Sequence, residues 1–227
     1  ASGEFDGEEY DARREFANRS KPQFDDSNWQ RAQIVGALSG QLAAQMIEPI
    51  RVTQKLKPVG LTEPRPGTFV FDLGQNMVGW CQLKVRGRAG TTVQLRHAET
   101  TNSDGSLYMA NLRGAQVTDR YTLKGQGTEV WQPRFTYHGF RFVEVTGFPG
   151  KLTIDALEGQ VVHDDLPATG EFTCSNELIN RIYRNIVWGI RGNYRSIPTD
   201  CPQRDERQGW LGDRSEECKG EAYLFNI

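Results

Sequence analysis

The sequence predicts a mainly β protein: an antiparallel β-sandwich followed by a helix and an acidic loop. Between residues 50 and 165, short runs of alternating apolar and polar residues recur about every ten positions. Turns rich in glycine or proline separate these runs, which is typical of antiparallel sheets. Near Pro167 the period changes, and apolar residues begin to recur at helical spacing.

The strands can be placed individually. Alternation predicts a strand over 68–72, a turn over 74–77 and a second strand over 78–85. Further strands are predicted over 91–97 and 118–123, in two runs between 135 and 145, and around 161–162. The tryptophans at 29, 80, 131 and 188 are expected in the core.

Two helices are expected after the strands. Ser175 is predicted to cap a helix over 175–190, with Glu177 as an acid in its first turn. Its apolar residues fall at helical spacing: Leu178, Ile179, Ile182, Tyr183, Ile186, Val187 and Ile190. A second helix is predicted over 216–225.

Composition and charge exclude several functions. The formal net charge of −2 favours neither nucleic acid nor an anionic membrane surface as a partner. No apolar run approaches the roughly eighteen residues of a membrane span. The N-terminus lacks the basic and apolar regions of a signal peptide, and the compartment stays open. Four cysteines without Cys-x-x-Cys spacing predict reduced thiols, with no metal and no cofactor expected.

The segment 197–213 is the most informative in the chain. Four acids, two arginines and a tryptophan lie close together in it: Asp200, Arg204, Asp205, Glu206, Arg207, Trp210 and Asp213. Its two prolines and two glycines prevent a continuous helix, so a shaped loop is predicted. Such a loop can protonate a leaving oxygen, hydrogen-bond sugar hydroxyls and stack an indole on a sugar ring. This equipment is typical of a glycosidase.

The run 200–213, Asp-Cys-Pro-Gln-Arg-Asp-Glu-Arg-Gln-Gly-Trp-Leu-Gly-Asp, resembles the signature of bacterial α-L-rhamnosidases of glycoside hydrolase family 78. Segments 71–80 and 135–142 resemble the β-sandwich domain that precedes catalysis in that family. The resemblance implies three parts: the end of an N-terminal jelly-roll-like accessory module (1–49), a β-sandwich domain (50–166) and the start of an (α/α)6-barrel catalytic domain (167–227). The chain is therefore expected to be a fragment.

The resemblance also implies residue roles. Glu206 is expected to be the general acid, and Asp200, Arg204, Trp210 and Asp213 to bind the sugar. The alternatives are a loop acid at Glu206 paired with Arg204 or Arg207, and caps of a turn or helix at the two aspartates. Asp205 is left open between tuning the acid and pairing with an arginine. No Cys/His dyad is expected, since Cys201 has no histidine in its loop and the three histidines fall on predicted strands.

The implied function is hydrolysis of terminal α-L-rhamnosides with inversion, on rhamnose-containing glycosides or polysaccharides. Inversion needs a second carboxylate to activate water, which the resemblance puts downstream of this chain, so the chain alone is expected to be inactive. The alternatives are a non-catalytic carbohydrate-binding sandwich, an interaction protein without a ligand, and a related barrel hydrolase acting on another sugar. The acids follow the strands instead of lying on them, which favours an enzyme over a binding module.

Overall fold

The computed structural model describes residues 1–37 and 39–227 and is mainly β. The first six strands are β1 (Ser2–Gly3), β2 (Gly7–Asp11), β3 (Ile50–Leu56), β4 (Gly60–Arg65), β5 (Thr68–Val85) and β6 (Thr92–Ala98). The others are β7 (Thr118–Thr122), β8 (Glu129–Trp131), β9 (His138–Thr146), β10 (Leu157–Asp164), β11 (Tyr194–Arg195) and β12 (Ile197–Pro198). The helices are α1 (Glu177–Asn193) and α2 (Leu211–Glu221). No helix in the described part of the chain is long and apolar enough to cross a membrane.

Ten strands form one curled sheet in the order β1-β2-β7-β6-β9-β5-β10-β3, with β4 and β8 also paired to β5. Neighbouring strands are antiparallel except β2 and β7, which are parallel. The mainly β, antiparallel fold is thus confirmed, with the facing layers belonging to one continuous curled sheet.

Strand β5 holds the curl together. Its first half pairs with β4 and its second half with β10, while β9 runs along both halves. The predicted turn over 74–77 is wrong, because the chain stays in β5 and only shifts register against β9 between Asp72 and Met77. Gly74 has φ +74°, a left-handed conformation that glycine adopts freely, and it lets the strand bulge and bend without ending.

The core lies inside the curl. Phe71, Leu95, Phe140 and Val143 are fully buried there, and burying each such side chain stabilises the fold by about 1.5–3 kcal/mol. The prediction that Trp29 is a core residue is wrong, since 51% of it is exposed. Its ring packs edge-on against two phenylalanines, Phe16 and Phe24, and it stays exposed because no strand or helix forms over 15–37 or 39–49 to cover it.

Helix α1 packs against the sheet through its C-terminal half. It is capped by Asn176 and not by Ser175: the Asn176 side chain accepts from the N–H groups of Leu178 and Ile179, at 3.0 and 3.4 Å. Gly192 allows the close approach, since a Cβ there would lie 2.7 Å from a methyl group of Val78 in β5. Four apolar side chains of α1 are nevertheless exposed: Leu178, Ile179, Ile182 and Ile186.

Helix α2 begins at Leu211, five residues before the predicted start at 216. Trp210 has an extended backbone and marks the boundary, so Asp213 lies in the first helical turn. At the other end, the buried Glu221 accepts hydrogen bonds from Tyr194 (2.6 Å) and from Arg214. These bonds fix α2 against the end of α1 and hold the two ends of the acidic loop in place.

Candidate active site

Arg207 anchors the acidic loop to the sheet. Only 3% exposed, it donates to four backbone carbonyls, those of Glu4 and Tyr137 (both 2.6 Å), Gln203 (2.9 Å) and Arg204 (3.0 Å). Its guanidinium also lies 5.2 Å from the centre of the Tyr137 ring. Burial lowers the pKa of this guanidinium. The planar fork of an arginine is what allows one cation to bind carbonyls from both the loop and the sheet.

Glu206, the expected general acid, is half-buried and held by two arginines. Its Oε2 accepts from Nη1 of Arg113 at 3.0 Å and from Nε of Arg204 at 2.9 Å. Pairing with Arg204 matches one of the arginine partners considered from the sequence, whereas Arg207 is engaged elsewhere. Arg113 belongs to the loop between β6 and β7, and nothing local in the sequence connects it with this site.

Asp200 combines a structural contact with a free oxygen. Its Oδ1 accepts from the N–H of Gln208 at 2.8 Å, which stabilises the loop as a turn cap would. Its Oδ2 is buried and accepts no hydrogen bond of normal geometry from the described residues. Burial raises the pKa of this carboxyl, but hydrogen bonding to the charged form outweighs it, and the pKa lies below its usual value.

The loop brings Asp200 and Glu206 together. One carboxylate oxygen of each, with Sγ of Cys201, lie within 4.8 Å of one another. Asp205, in contrast, points to the sheet, where its Oδ2 accepts from the backbone N–H of Gly114 at 3.0 Å instead of pairing with an arginine. Adjacent acids in the sequence therefore have different surroundings.

Asp213 lies with Asp200 on a cleft of about 750 Å³ between α1 and α2. The cleft has an acidic rim, which includes Glu217, and an apolar wall formed by residues such as Ile186 and Ile190. Trp210, which was expected to bind the sugar, precedes α2 and is 51% exposed. The carboxylates of the cleft can accept hydrogen bonds from hydroxyl groups, and an exposed indole can stack on an apolar ring face.

Two groups among the described residues bring three potential metal ligands within 4.8 Å: the buried set His97, Asp119 and His138, and the set Asp200, Cys201 and Glu206. In the second set, burial raises the pKa of the Cys201 thiol, which favours the protonated form that binds metals poorly. The acid beside it is already held by guanidinium groups.

In the buried set, His138 is hydrogen-bonded to Asp119, whereas Nδ1 of His97 lies 2.9 Å from the carbonyl oxygen of Val117. Nε2 of His138 lies 3.2 Å from both Asp119 oxygens, and the backbone N–H of Glu8 donates to the same carboxylate at 2.9 Å. The rings of His97 and His138 stack with their centres 4.2 Å apart and their planes at 19°. The cluster therefore fits a structural role within the sheet.

Comparison with known proteins gives three family matches along the chain. Residues 1–54 match the α-L-rhamnosidase N-terminal domain, residues 62–163 the bacterial α-L-rhamnosidase concanavalin-like domain, and residues 167–227 the bacterial α-L-rhamnosidase six-hairpin glycosidase domain. The acidic loop falls within the last of these. Three adjacent domains of one kind of multidomain glycosidase thus account for nearly the whole chain.

The sequence is 54% identical over 222 residues to an α-L-rhamnosidase of Streptomyces avermitilis, covering 96% of this chain and 21% of that protein. An α-L-rhamnosidase of Formosa agariphila is 41% identical, with 98% of this chain and 24% of that protein covered. The solved S. avermitilis α-L-rhamnosidase complexed with L-rhamnose superposes with a TM-score of 0.95 at 50% identity, over 99% of this chain and 22% of that one. The α-L-rhamnosidase from Dictyoglumus thermophilum also gives 0.95, at 48% identity, over 98% and 25%.

The chain belongs to the bacterial α-L-rhamnosidases of glycoside hydrolase family 78. It spans about a fifth to a quarter of the length of these relatives.

Proposed function

We propose that the protein carrying this chain hydrolyses terminal α-L-rhamnosides and that Glu206 is its general acid. The observation that carries the proposal is the arrangement of the acidic loop, in which carboxylate oxygens of Asp200 and Glu206 lie within 4.8 Å beside the guanidinium of Arg204. The relatives named as α-L-rhamnosidases, one of them solved with L-rhamnose, support rhamnose as the sugar.

In the proposed reaction the protonated Glu206 gives its proton to the glycosidic oxygen as the bond from that oxygen to the anomeric carbon breaks. A water oxygen adds to the opposite face of the anomeric carbon and passes its proton to a second carboxylate, which inverts the configuration. Acid and base in such enzymes lie roughly 6.5–9.5 Å apart. We assign the base to sequence outside these 227 residues.

The remaining site residues are proposed to bind the sugar. The unpartnered Oδ2 of Asp200 can accept from a hydroxyl, and the guanidinium of Arg204 can donate to one. Asp213 can accept from a second pair of hydroxyls at the cleft, and the exposed face of Trp210 can stack on the ring. Asp205 serves the docking of the loop, through its bond to Gly114.

The proposed domain boundaries are 1–49, 50–166 and 167–227. The family matches over 1–54, 62–163 and 167–227 support these divisions. The sheet nevertheless includes residues from the first part, because β2 pairs with β7. The first two parts therefore share one hydrogen-bonded sheet.

The test is Glu206→Gln in the enzyme that carries this chain. The amide keeps the shape but cannot transfer a proton, so we expect a loss of about 10²–10⁴-fold on substrates with poor leaving groups. The rate on an activated aryl α-L-rhamnoside, whose leaving group needs little protonation, should fall by a smaller factor. The control is Glu177→Gln, an exposed glutamate of α1 that should leave both rates unchanged.

If the rates on both substrates fell by less than about threefold, far below the usual contribution of a general acid, the assignment of Glu206 would be wrong. The 227-residue chain assayed alone gives a second test. We expect no turnover of an aryl α-L-rhamnoside, and clear turnover would show that the base lies within these residues.

A further inference from the structure

A loop of the curled sheet contacts both acids of the Asp205–Glu206 pair. Arg113 donates from Nη1 to Oε2 of Glu206 at 3.0 Å, and the backbone N–H of Gly114 donates to Oδ2 of Asp205 at 3.0 Å. The two contacts join residues 93 and 91 positions apart in the sequence. We call the pair of residues 113 and 114 the sheet clamp.

The backbone of the sheet clamp is shaped for this contact. A Cβ on Gly114 would lie 2.8 Å from Oδ2 of Asp205, so glycine is the residue that lets the carboxylate reach the N–H. Arg113 has φ 56° and ψ −118°, a positive-φ conformation outside the allowed regions for a residue with a Cβ, and it costs energy. Such strain persists where surrounding contacts fix it, and it is concentrated at functional sites.

The sheet clamp also divides the two oxygens of Glu206. Oε2 accepts from both Arg113 and Arg204, whereas Oε1 accepts no hydrogen bond from the described residues. A carboxyl with one oxygen held by two cations can carry its proton only on the other oxygen, because guanidinium groups donate and never accept. The geometry therefore selects Oε1 as the oxygen that can give a proton to a leaving group.

We propose that Arg113 is a positioning residue for the general acid. It holds Oε2 of Glu206 so that the transferable proton lies on Oε1. When Oε1 gives its proton to the glycosidic oxygen, Glu206 becomes a carboxylate whose charge Arg113 and Arg204 stabilise. The inference rests on the proposed function. It means that the loop between β6 and β7 helps to orient the general acid.

The main test is the pH dependence of kcat/KM for Arg113→Gln in the enzyme that carries this chain, with a poor-leaving-group rhamnoside as substrate. A general acid must be protonated, so activity falls on the alkaline side as it ionises. Removing one cation makes ionisation less favourable and should move the alkaline limb to higher pH.

Two variants control this test. Arg113→Lys keeps the charge, and its alkaline limb should stay near that of the wild type even if kcat falls because the fork geometry is lost. Arg65→Gln removes an exposed arginine of the sheet that contacts Asp104 and not the loop, and it should change neither limb nor rate. An alkaline limb in Arg113→Gln that coincides with the wild type would overturn the proposal.

A titration separates this inference from the proposed function. The 227-residue chain is labelled with carbon-13 at its glutamate carboxyls, and the chemical shift of the Glu206 signal is followed as the pH changes. The Glu206 signal is identified as the one that is missing from the spectrum of Glu206→Gln. The pH at the midpoint of this titration should be higher in Arg113→Gln and unchanged in Arg113→Lys. This expectation holds whether or not the enzyme hydrolyses a rhamnoside. An unmoved midpoint in Arg113→Gln would refute the sheet clamp, whereas a wild-type enzyme inactive on rhamnosides would refute only the proposed function.

Discussion

Replacing Arg207 with alanine should detach the acidic loop from the sheet. The guanidinium makes four hydrogen bonds to carbonyls of residues 4, 137, 203 and 204, and it is almost completely buried. A hydrogen bond involving a charged group contributes about 1.5–3 kcal/mol, and the four are not additive because they share one cation. The cost of burying that cation offsets part of the sum.

We therefore expect Arg207→Ala to destabilise the protein by about 3–5 kcal/mol, the range for breaking a buried charged network. In a chain of this size that corresponds to a fall in the thermal midpoint on the order of 10 °C. Thermal unfolding followed by circular dichroism measures it. Amide hydrogen exchange should also become faster over 200–210, where the loop loses its contact with the sheet.

Arg65→Ala is the matched control, since that arginine is 69% exposed in its side chain and its ion pair with Asp104 is long, at 3.4 Å. Exposed pairs contribute only about 0–1 kcal/mol. If Arg207→Ala were no more destabilising than Arg65→Ala, and exchange over 200–210 were unchanged, Arg207 would not anchor the loop.

Two further predictions concern binding and pH. Asp213→Asn should weaken rhamnose binding by about 1.5–3 kcal/mol, the contribution of a charged hydrogen bond, and Trp210→Ala by about 0.5–1.5 kcal/mol, the contribution of stacking. Neither substitution should move the alkaline limb of the pH–rate profile. Calorimetric titration with rhamnose measures both affinities, and unchanged affinity in both variants would mean that these residues have structural roles only. Burial lowers the pKa of His163 to about 4, and its Nε2 accepts a hydrogen bond from Nε of Arg191 at 3.0 Å. The ring therefore stays neutral in the folded protein down to about pH 4, whereas in the unfolded chain it is protonated below about pH 6.5. Stability should therefore fall as the pH drops from about 6.5 to about 4, and urea midpoints should fall less steeply in His163→Gln; an identical slope would contradict the assignment.

Local patterns in the sequence were enough to predict much of the fold. Alternation gave the strands at 68–72, 91–97 and 118–123, since a strand with one buried face repeats every two residues. Helical spacing after Pro167 predicted α1, although Asn176 and not Ser175 caps it, because both are good capping residues and only the backbone decides between them. The chemical groups of the acidic loop could also be predicted from the sequence, because they lie within fourteen consecutive residues.

What the sequence could not decide depends on contacts between distant positions. Gly74 looked like a turn, but pairing of β5 with β9 on both sides of it keeps the strand continuous and gives the sheet its curl. Trp29 looked like a core residue, yet no strand or helix forms over residues 15–37 or 39–49 to cover it. Such outcomes depend on the neighbours a segment finds in space, which periodicity does not record.

The same division holds within the candidate site. The sequence by itself determined which acids, cation and aromatic ring the loop carries, because these are consecutive residues. Only the tertiary structure decided how each is used: Arg207 reaches Glu4 across 203 positions, and Arg113 reaches Glu206 across 93. Long-range hydrogen bonds have no periodic signature, since their partners meet only after the curled sheet has brought the loops together.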